Sequence, residues 1–427
     1  MNDLLSRDRV IAGVEKLRFF PLVVEAGEGC ELIEPGGRRL LDLSATWTAC
    51  ALGHGHVVVR EALARAAQAP PGAAALSAIH PDGVALAEEL LDRVPGSGER
   101  RVYFGHCGSD ANDVAIRAAR HATGRPRVLA FEHSYHGGVG VAMRASGVHV
   151  QSGNVETDTA VTFTPYPDPY RSPDTYEVEL ATLRSHLAAG DVACVIVEPI
   201  LSDGGLIVPP DGFLTEISAA CAAAGTLLIC DEVKVGLGRS GTYHAFDHDG
   251  LAPDVVTFGK ALGAGLPISA AVGPAAVLDE PGASALLTTA GNPYCTAVAR
   301  AVLRTIDAEG LTERAAVAGE RLRAGLREAT ADLDVVGDIR GRGLVIGVDL
   351  VGSRETRDRA PDLAARVVYR AWQLGAVVYY VGGNVLEVTP PLVITDEEVD
   401  RAVTILEQAI READQVDPAA VAEFAGW

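Results

Sequence analysis

Three lysines occur in this 427-residue chain, against a Lys-plus-Arg total of 36: Lys16, Lys234 and Lys260. Arginine serves on a solvated surface as well as lysine does, but its guanidinium stays protonated. An ε-amine that is desolvated can lose its proton and attack a carbonyl. A lysine kept in an arginine-rich chain therefore invites a chemical explanation. Lys16, in a charged N-terminal stretch, reads as a surface residue. Lys260 does not. It stands in "TFGKALGAGLPISA", between a strand-like run and a glycine-rich turn, with apolar flanks.

Three other short stretches offer chemistry that an imine-forming lysine can use. "CGSD" (107–110) falls between a strand-like run and a helix start. Gly108 permits close backbone approach, Ser109 offers a hydroxyl, and the helix end offers free N–H groups. That suits a phosphate, although a plain Ser N-cap has the same sequence. "SYHGG" (134–138) presents Tyr135, an aromatic face on which a flat ring can stack. "TLLICDEV" ends in Asp231, a carboxylate leaving the interior that needs a cation or donor, such as a protonated pyridine nitrogen. Lysine, phosphate cradle, stacking ring and carboxylate together describe pyridoxal phosphate held as a Schiff base.

These residues need a scaffold that gathers loop ends. Between 102 and 260 the chain alternates β-like and helical runs. "RVYF", "RVLAFE", "ACVIVEPI", "GTLLICDEV" and "DVVTFGK" read as strands. "DANDVAIRAARHATG" reads as a helix, with Ala115, Ala118, Ala119 and Ala122 at i, i+3, i+4, i+7. "LTEISAACAAAG" reads as another. Unbroken Val/Ile/Leu runs bounded by turns fit a mostly parallel sheet covered by helices on both faces. In such open sheets, ligands gather at the carboxyl ends of the strands, where these motifs fall. The texture changes after about residue 310. A long helix near 311–330, the β-like "GLVIGVDL", "GAVVYYVG" and "NVLEVT", and a last helix near 395–412 indicate a smaller α+β unit. The expected division is an N-terminal arm over 1–57, a large domain over 58–312 and a small domain over 313–427.

Composition narrows the class. With 48% hydrophobic and 22% charged residues, the chain can bury a sizeable core. A net charge of −21 argues against nucleic acid or an anionic membrane as partner. The start "MNDLLSRDRV" lacks the apolar core of a signal peptide, and no apolar run approaches about 18 residues. A soluble cytoplasmic protein is expected. The seven cysteines form no CxxC pair and read as reduced thiols, with no metal site expected.

The motifs carry a resemblance. "GHCGSDANDVAIRAAR", "YHGG", "VEPI", "DEVKVGLGRSG", "TFGKALGAGLP" and "TTAGNP" resemble the class III aminotransferase family of fold type I pyridoxal-phosphate enzymes. "KLRFFPL", "YPDPYR", "SDGGLIVPPDGFL", "GDIRGRGL", "VVYYVGGNVLEVTPPL" and the terminal "FAGW" resemble its α-amino-ε-caprolactam and amino-acid racemase branch. The resemblance implies that Lys260 carries the cofactor aldimine and moves protons, and that Asp231 pairs with the ring nitrogen. Tyr135 and Val233 flank the ring. Gly108, Ser109 and the Asp110 backbone hold the phosphate. Thr288 reaches the phosphate of a neighbouring subunit, which implies a homodimer with shared sites. Trp47 lines the substrate pocket, and Glu198 is an acid behind the contact residues.

Three departures from the family pattern bear on the reaction. Lys234 stands where the family commonly has glutamine, and its ammonium is read as a donor to the cofactor's phenolic oxygen. Asp203, in "SDGG", replaces a glutamate. Glu387 stands where many members carry the arginine that pairs with that glutamate. Without the arginine, Asp203 is expected to be unpaired, with a raised pKa. Racemisation through a planar quinonoid intermediate needs proton transfer on both faces. Lys260 is expected to serve one and Asp203 the other, for an amino acid, amino-acid amide or amino lactam. Loss of the arginine favours an uncharged carbonyl over a free carboxylate. The alternative is an aminotransferase, in which Lys260 alone moves the proton.

Overall fold

The computed structural model describes residues 2–68 and 76–424. The terminal "FAGW" motif therefore lies, apart from Phe424, outside the described residues. After a short helix at Asn2–Arg7, the arm forms three short strands, β1 (Ala26–Glu28), β2 (Glu31–Ile33) and β3 (Arg39–Asp42). The central sheet then takes β4 (Arg100–Gly105), β5 (Arg127–Phe131), β6 (Val161–Thr164), β7 (Val192–Val197), β8 (Leu227–Asp231), β9 (Val255–Phe258) and β10 (Ser269–Pro274). After residue 330 come β11 (Val336–Arg342), β12 (Val345–Leu350), β13 (Ala376–Val377), β14 (Tyr379–Val381) and β15 (Val385–Val388).

The seven central strands run in the order β4-β10-β9-β8-β7-β5-β6. Every pairing from β9 to β6 is parallel, whereas β10 lies antiparallel to both its neighbours. Alternate residues of each strand enter different cores. Cys194 and Ile196 of β7 pack with Ala111, Ala115, Ile116 and Ala119 of the helix Gly108–Thr123. Val195 and Val197 pack on the other side with Leu183 and Leu187 of the helix Tyr176–Ala188 and Ile217 of the helix Phe213–Ala224. Burial on both faces is why these strands read as unbroken apolar runs. The expected alanine face of the helix Gly108–Thr123 ends at Ala119. Ala122 is exposed, and buried Ala111 and Ile116 belong to that face instead.

A second, antiparallel sheet has the order β11-β12-β15-β14. A third joins β1-β2-β3 to β13, so chain start and chain end share one sheet. Two further contacts tie these parts to the central site. Gly382 N donates to Asp203 O at 2.9 Å, and Thr389 N donates to Leu43 O at 2.7 Å. No described helix is long and apolar enough to cross a membrane.

Candidate active site

A cavity of about 390 Å³ opens at the carboxyl ends of β7, β8 and β9. Gly108, Ser109, Tyr135, Glu198, Asp203, Asp231, Val233, Lys234 and Lys260 all line it. Residues up to about 150 positions apart in sequence meet here because the parallel strands end in one row.

Lys260 follows β9 after Gly259, with φ +40. A left-handed conformation at a non-glycine residue is costly and is typical of functional sites. No side-chain hydrogen bond reaches its Nζ among the described residues. Burial, then the like charge of Lys234, holds its pKa below the usual lysine value despite the nearby carboxylates. The amine is thereby moved toward its neutral, nucleophilic form.

Asp231 closes β8 and is almost fully buried. Its Oδ2 accepts from Asn112 Nδ2 at 2.7 Å and pairs with His136 Nδ1 at 2.8 Å. Its Oδ1 accepts from Val233 N at 3.1 Å. Thr257 Oγ1 donates to Asn112 Oδ1 at 2.7 Å. The carboxylate is fixed from three directions with an edge left to the cavity. Sequence reasoning missed both Asn112 and His136. The signal for His136 was its place beside Tyr135 in the same motif, and both line the cavity.

The glycines make a cradle. A Cβ on Gly108 would strike Val233 Cγ1 at 2.5 Å, and one on Gly137 would strike Ser109 Oγ at 2.6 Å. Cys107 occupies the N-cap of the helix Gly108–Thr123. The Asp110 N–H is already used, donating to Cys107 O at 3.0 Å. Asp110 Oδ2 accepts from His106 N at 2.8 Å, so its side chain caps its own helix and does not line the cavity. Ser109 Oγ accepts from Gly138 N at 3.0 Å. Glu198 braces the aromatic wall: its Oε1 accepts from Tyr135 N at 2.9 Å and its Oε2 from Ser202 N at 3.1 Å. Burial lifts the Glu198 pKa to about 7, against the opposing influence of His136.

Asp203 departs from expectation. It is not an unpaired carboxylate. Lys234 Nζ donates to Asp203 Oδ1 at 2.8 Å and to Glu387 Oε2 at 2.8 Å. All three side chains are buried. Burial pushes the Asp203 pKa up, but Lys234 and then Lys260 outweigh it and hold the carboxyl below the ordinary aspartate value. The three departures thus meet in one cluster, in which the Lys234 ammonium, from the loop after β8, bridges the two carboxylates. The same ammonium lies 5.3 Å from the Trp47 ring centroid, and that ring stacks on Tyr379 at 4.8 Å. Trp47 thus covers Lys234 and is not among the cavity-lining residues, whereas Ala49, two residues on, is. Thr288 is exposed and is not among the cavity-lining residues of its own chain.

Removing the shared cation has a predictable cost. Lys234→Met leaves two buried carboxylates facing each other, and the fold is expected to lose about 3–5 kcal/mol in urea unfolding at pH 7. The Asp203 contribution is present above its unfolded value near 3.8 and is lost as pH falls through the lower folded value. The raised pKa of Lys234 carries its contribution past neutral pH. The stability gap between variant and parent should therefore narrow in acid.

The residues fit pyridoxal phosphate. An amine without a hydrogen-bond partner, a buried carboxylate at fixed orientation, a helix N-terminus behind two close-packed glycines, and a tyrosine wall share a space of cofactor size. A family model for class-III aminotransferases matches residues 12–410. An isoleucine 2-epimerase of Lentilactobacillus buchneri is 35% identical over 95% of this chain and 93% of its own. A leucine/methionine racemase of Thermococcus litoralis is 34% identical over 100% and 99%. An acetylornithine aminotransferase of Mycobacterium tuberculosis is 36% identical over 90% and 91%. Among solved structures, an omega transaminase of Pseudomonas jessenii in complex with PMP superposes with a TM-score of 0.86 at 27% identity, over 92% of this chain and 93% of that one.

Proposed function

The chain belongs to the class III aminotransferase family, and from that premise we propose that it is a racemase or epimerase acting at the α-carbon of an amino acid, amino-acid amide or amino lactam. Its cofactor is pyridoxal phosphate. The observation that supports the reading is that an amine and a carboxylate, Lys260 and Asp203, line one cavity. The charge of Lys260 is disfavoured and that of Asp203 is favoured. One is an amine moved toward its neutral form, and the other a carboxylate held ionised.

When bound, the cofactor supplies the electron sink that acidifies the α-C–H of the substrate. Lys260 holds the cofactor through Nζ and moves the proton at the α-carbon from its own side. Asp203 takes or returns the proton on the opposite side, kept ionised and aimed by Lys234. Asp231 meets the ring nitrogen, with His136 and Asn112 fixing its orientation. Tyr135 and Val233 flank the ring. Gly108 and Ser109, at the helix N-terminus with Asp110, receive the phosphate. Thr288 completes the phosphate site of a neighbouring copy in a homodimer. We assign Lys234 to its two carboxylates in place of the cofactor's phenolic oxygen. Among the described residues no arginine lines the cavity, which favours an uncharged carbonyl over a free carboxylate on the substrate.

Aminotransfer is the second reading, favoured by the 36% identity to an acetylornithine aminotransferase. Single enantiomers of an amino acid and its amide, incubated in D₂O without any keto acid, separate the two. Inversion with α-deuterium uptake is expected, with higher kcat/KM for the amide. Turnover only after a keto acceptor is added would establish the aminotransferase.

A further inference from the structure

Arg171 in "YPDPYR", Arg340 in "GDIRGRGL" and Asn384 in "VVYYVGGNVLEVTPPL" take no part in the chemistry above, yet their side chains converge on one buried carboxylate, Asp349 of β12. Arg171 grips it with both Nη atoms, at 2.5 and 2.6 Å. Arg340 Nη2 donates to its Oδ2 at 2.9 Å, and Asn384 Nδ2 to its Oδ1 at 2.6 Å. Burial raises the pKa of Asp349, but Arg171 and Arg340 outweigh it and hold the carboxyl below the ordinary aspartate value. Taking a partner from a buried charge is costly, so the anchor is stiff.

The same cluster holds the turn that carries Asp203, by two routes. Arg340 Nη2 donates to Gly205 O at 2.5 Å and its Nε to Leu206 O at 2.9 Å. Arg359 Nη1 donates to Asn384 Oδ1 at 2.8 Å and to Gly382 O at 2.7 Å, and Gly382 N donates to Asp203 O. Inside the turn, Gly205 N and Leu206 N donate to Ser202 O at 3.1 and 2.9 Å. Leu206 takes φ +49, a left-handed conformation that persists only where the surroundings over-determine it. The fit is close on both sides. A Cβ on Gly382 would come within 2.9 Å of Gly204 O, and one on Gly204 within 2.8 Å of His133 O. Arg340 is not among the cavity-lining residues, so what it does to the site passes through this turn.

We propose that Arg340, anchored by Asp349, is a positioning residue: it fixes the turn that carries Asp203 and so sets where that carboxylate stands in the cavity. Its effect on the rate rests on Asp203 being the second proton-transfer group. Its effect on the place of the carboxylate does not.

A double-mutant cycle of Arg340→Met with Asp203→Asn, in the cofactor-loaded protein, tests this. One readout is the interconversion of enantiomers. The other is the pH midpoint of the visible band, which follows the proton on the nitrogen that joins Lys260 to the cofactor. Burial and then Lys234 disfavour the charge on Lys260, and Asp203 favours it. A carboxylate freed to wander therefore lowers the midpoint, by about half a pH unit, whereas the bare loss of a cation would raise it. Interconversion should fall by about 10²-fold, the cost of a misplaced group, while deuterium uptake on the Lys260 face changes little. On the Asp203→Asn background, Arg340→Met should add nothing to either readout. Arg340→Lys keeps the charge but cannot span both carbonyls, and its effect should fall between. An unchanged or raised midpoint in Arg340→Met, or a further loss on the Asp203→Asn background, would overturn the proposal. Should the parent protein transaminate without inverting, Asp203 is not the second base, and the midpoint cycle still decides whether Arg340 sets its place. Asp349 keeps Arg171 and Asn384 in Arg340→Met, so the variant should fold, which thermal unfolding checks. If it does not, Arg340→Lys carries the same cycle.

Discussion

Lys260→Arg is expected to fold, bind no cofactor covalently and lose turnover by more than about 10⁴-fold, the upper weight of a single positioned acid–base group. The loss exceeds that weight because one amine does two jobs, holding the cofactor and moving the proton. Arginine keeps the charge but cannot give up its proton. The competing candidate is close by: Lys234 lines the same cavity. Geometry separates them. The Lys234 ammonium donates to Asp203 and Glu387 at 2.8 Å each, which stabilises its charged form and raises its pKa. Lys260 has the opposite shift, so it supplies the neutral amine. Borohydride reduction of the loaded parent protein should fix the cofactor to the peptide containing Lys260 and bleach the visible band. Mass on the Lys234 peptide would refute the assignment. The fold should survive the substitution, since arginine meets the φ of +40 at the same cost as lysine, and thermal unfolding checks this.

What the sequence reveals about this molecule depends on how local each signal is. The parallel strands were legible because β7, β8 and β9 are buried on both faces and leave apolar runs between turns. The antiparallel β10 was not, because "SAAVGP" is rich in small residues and follows a glycine-rich turn. The cavity-lining residues Gly108, Ser109, Tyr135, Asp231 and Lys260 were legible because each ends or follows a central strand beside its own motif. The partner of Asp203 was not: Lys234 is 31 positions away and bridges to Glu387 a further 153 positions on. Glu387 is visible in one motif, whereas its contact with Lys234 appears only when the loop after β8 and strand β15 are brought together. Charge compensation of this kind is a property of the assembled pocket, and reading Asp203 alone gave its pKa shift the wrong sign.

Asp203→Asn is expected to retain the cofactor and slow the interconversion of enantiomers by about 10²–10⁴-fold. No cofactor contact is assigned to Asp203, so the visible band should persist. The fold should persist too, since an amide oxygen still accepts from Lys234 and Glu387 remains as counter-ion at 2.8 Å. Only the proton-accepting charge is removed. Lys260 then works alone. The enantiomer whose α-hydrogen faces Lys260 should still take up deuterium with retention, while inversion nearly stops. Amino-group transfer to an added keto acid, which needs Lys260 alone, should suffer much less. Equal loss of exchange for both enantiomers would reduce Asp203 to a structural role. Undiminished racemisation would mean that Lys260 serves both faces or that another group, such as Tyr135, is the second base. Asp203→Glu adds a control: it restores the carboxylate but pushes it one methylene further into a buried site beside Lys234. Partial recovery there, with none in Asp203→Asn, would tie the effect to the charge at that position.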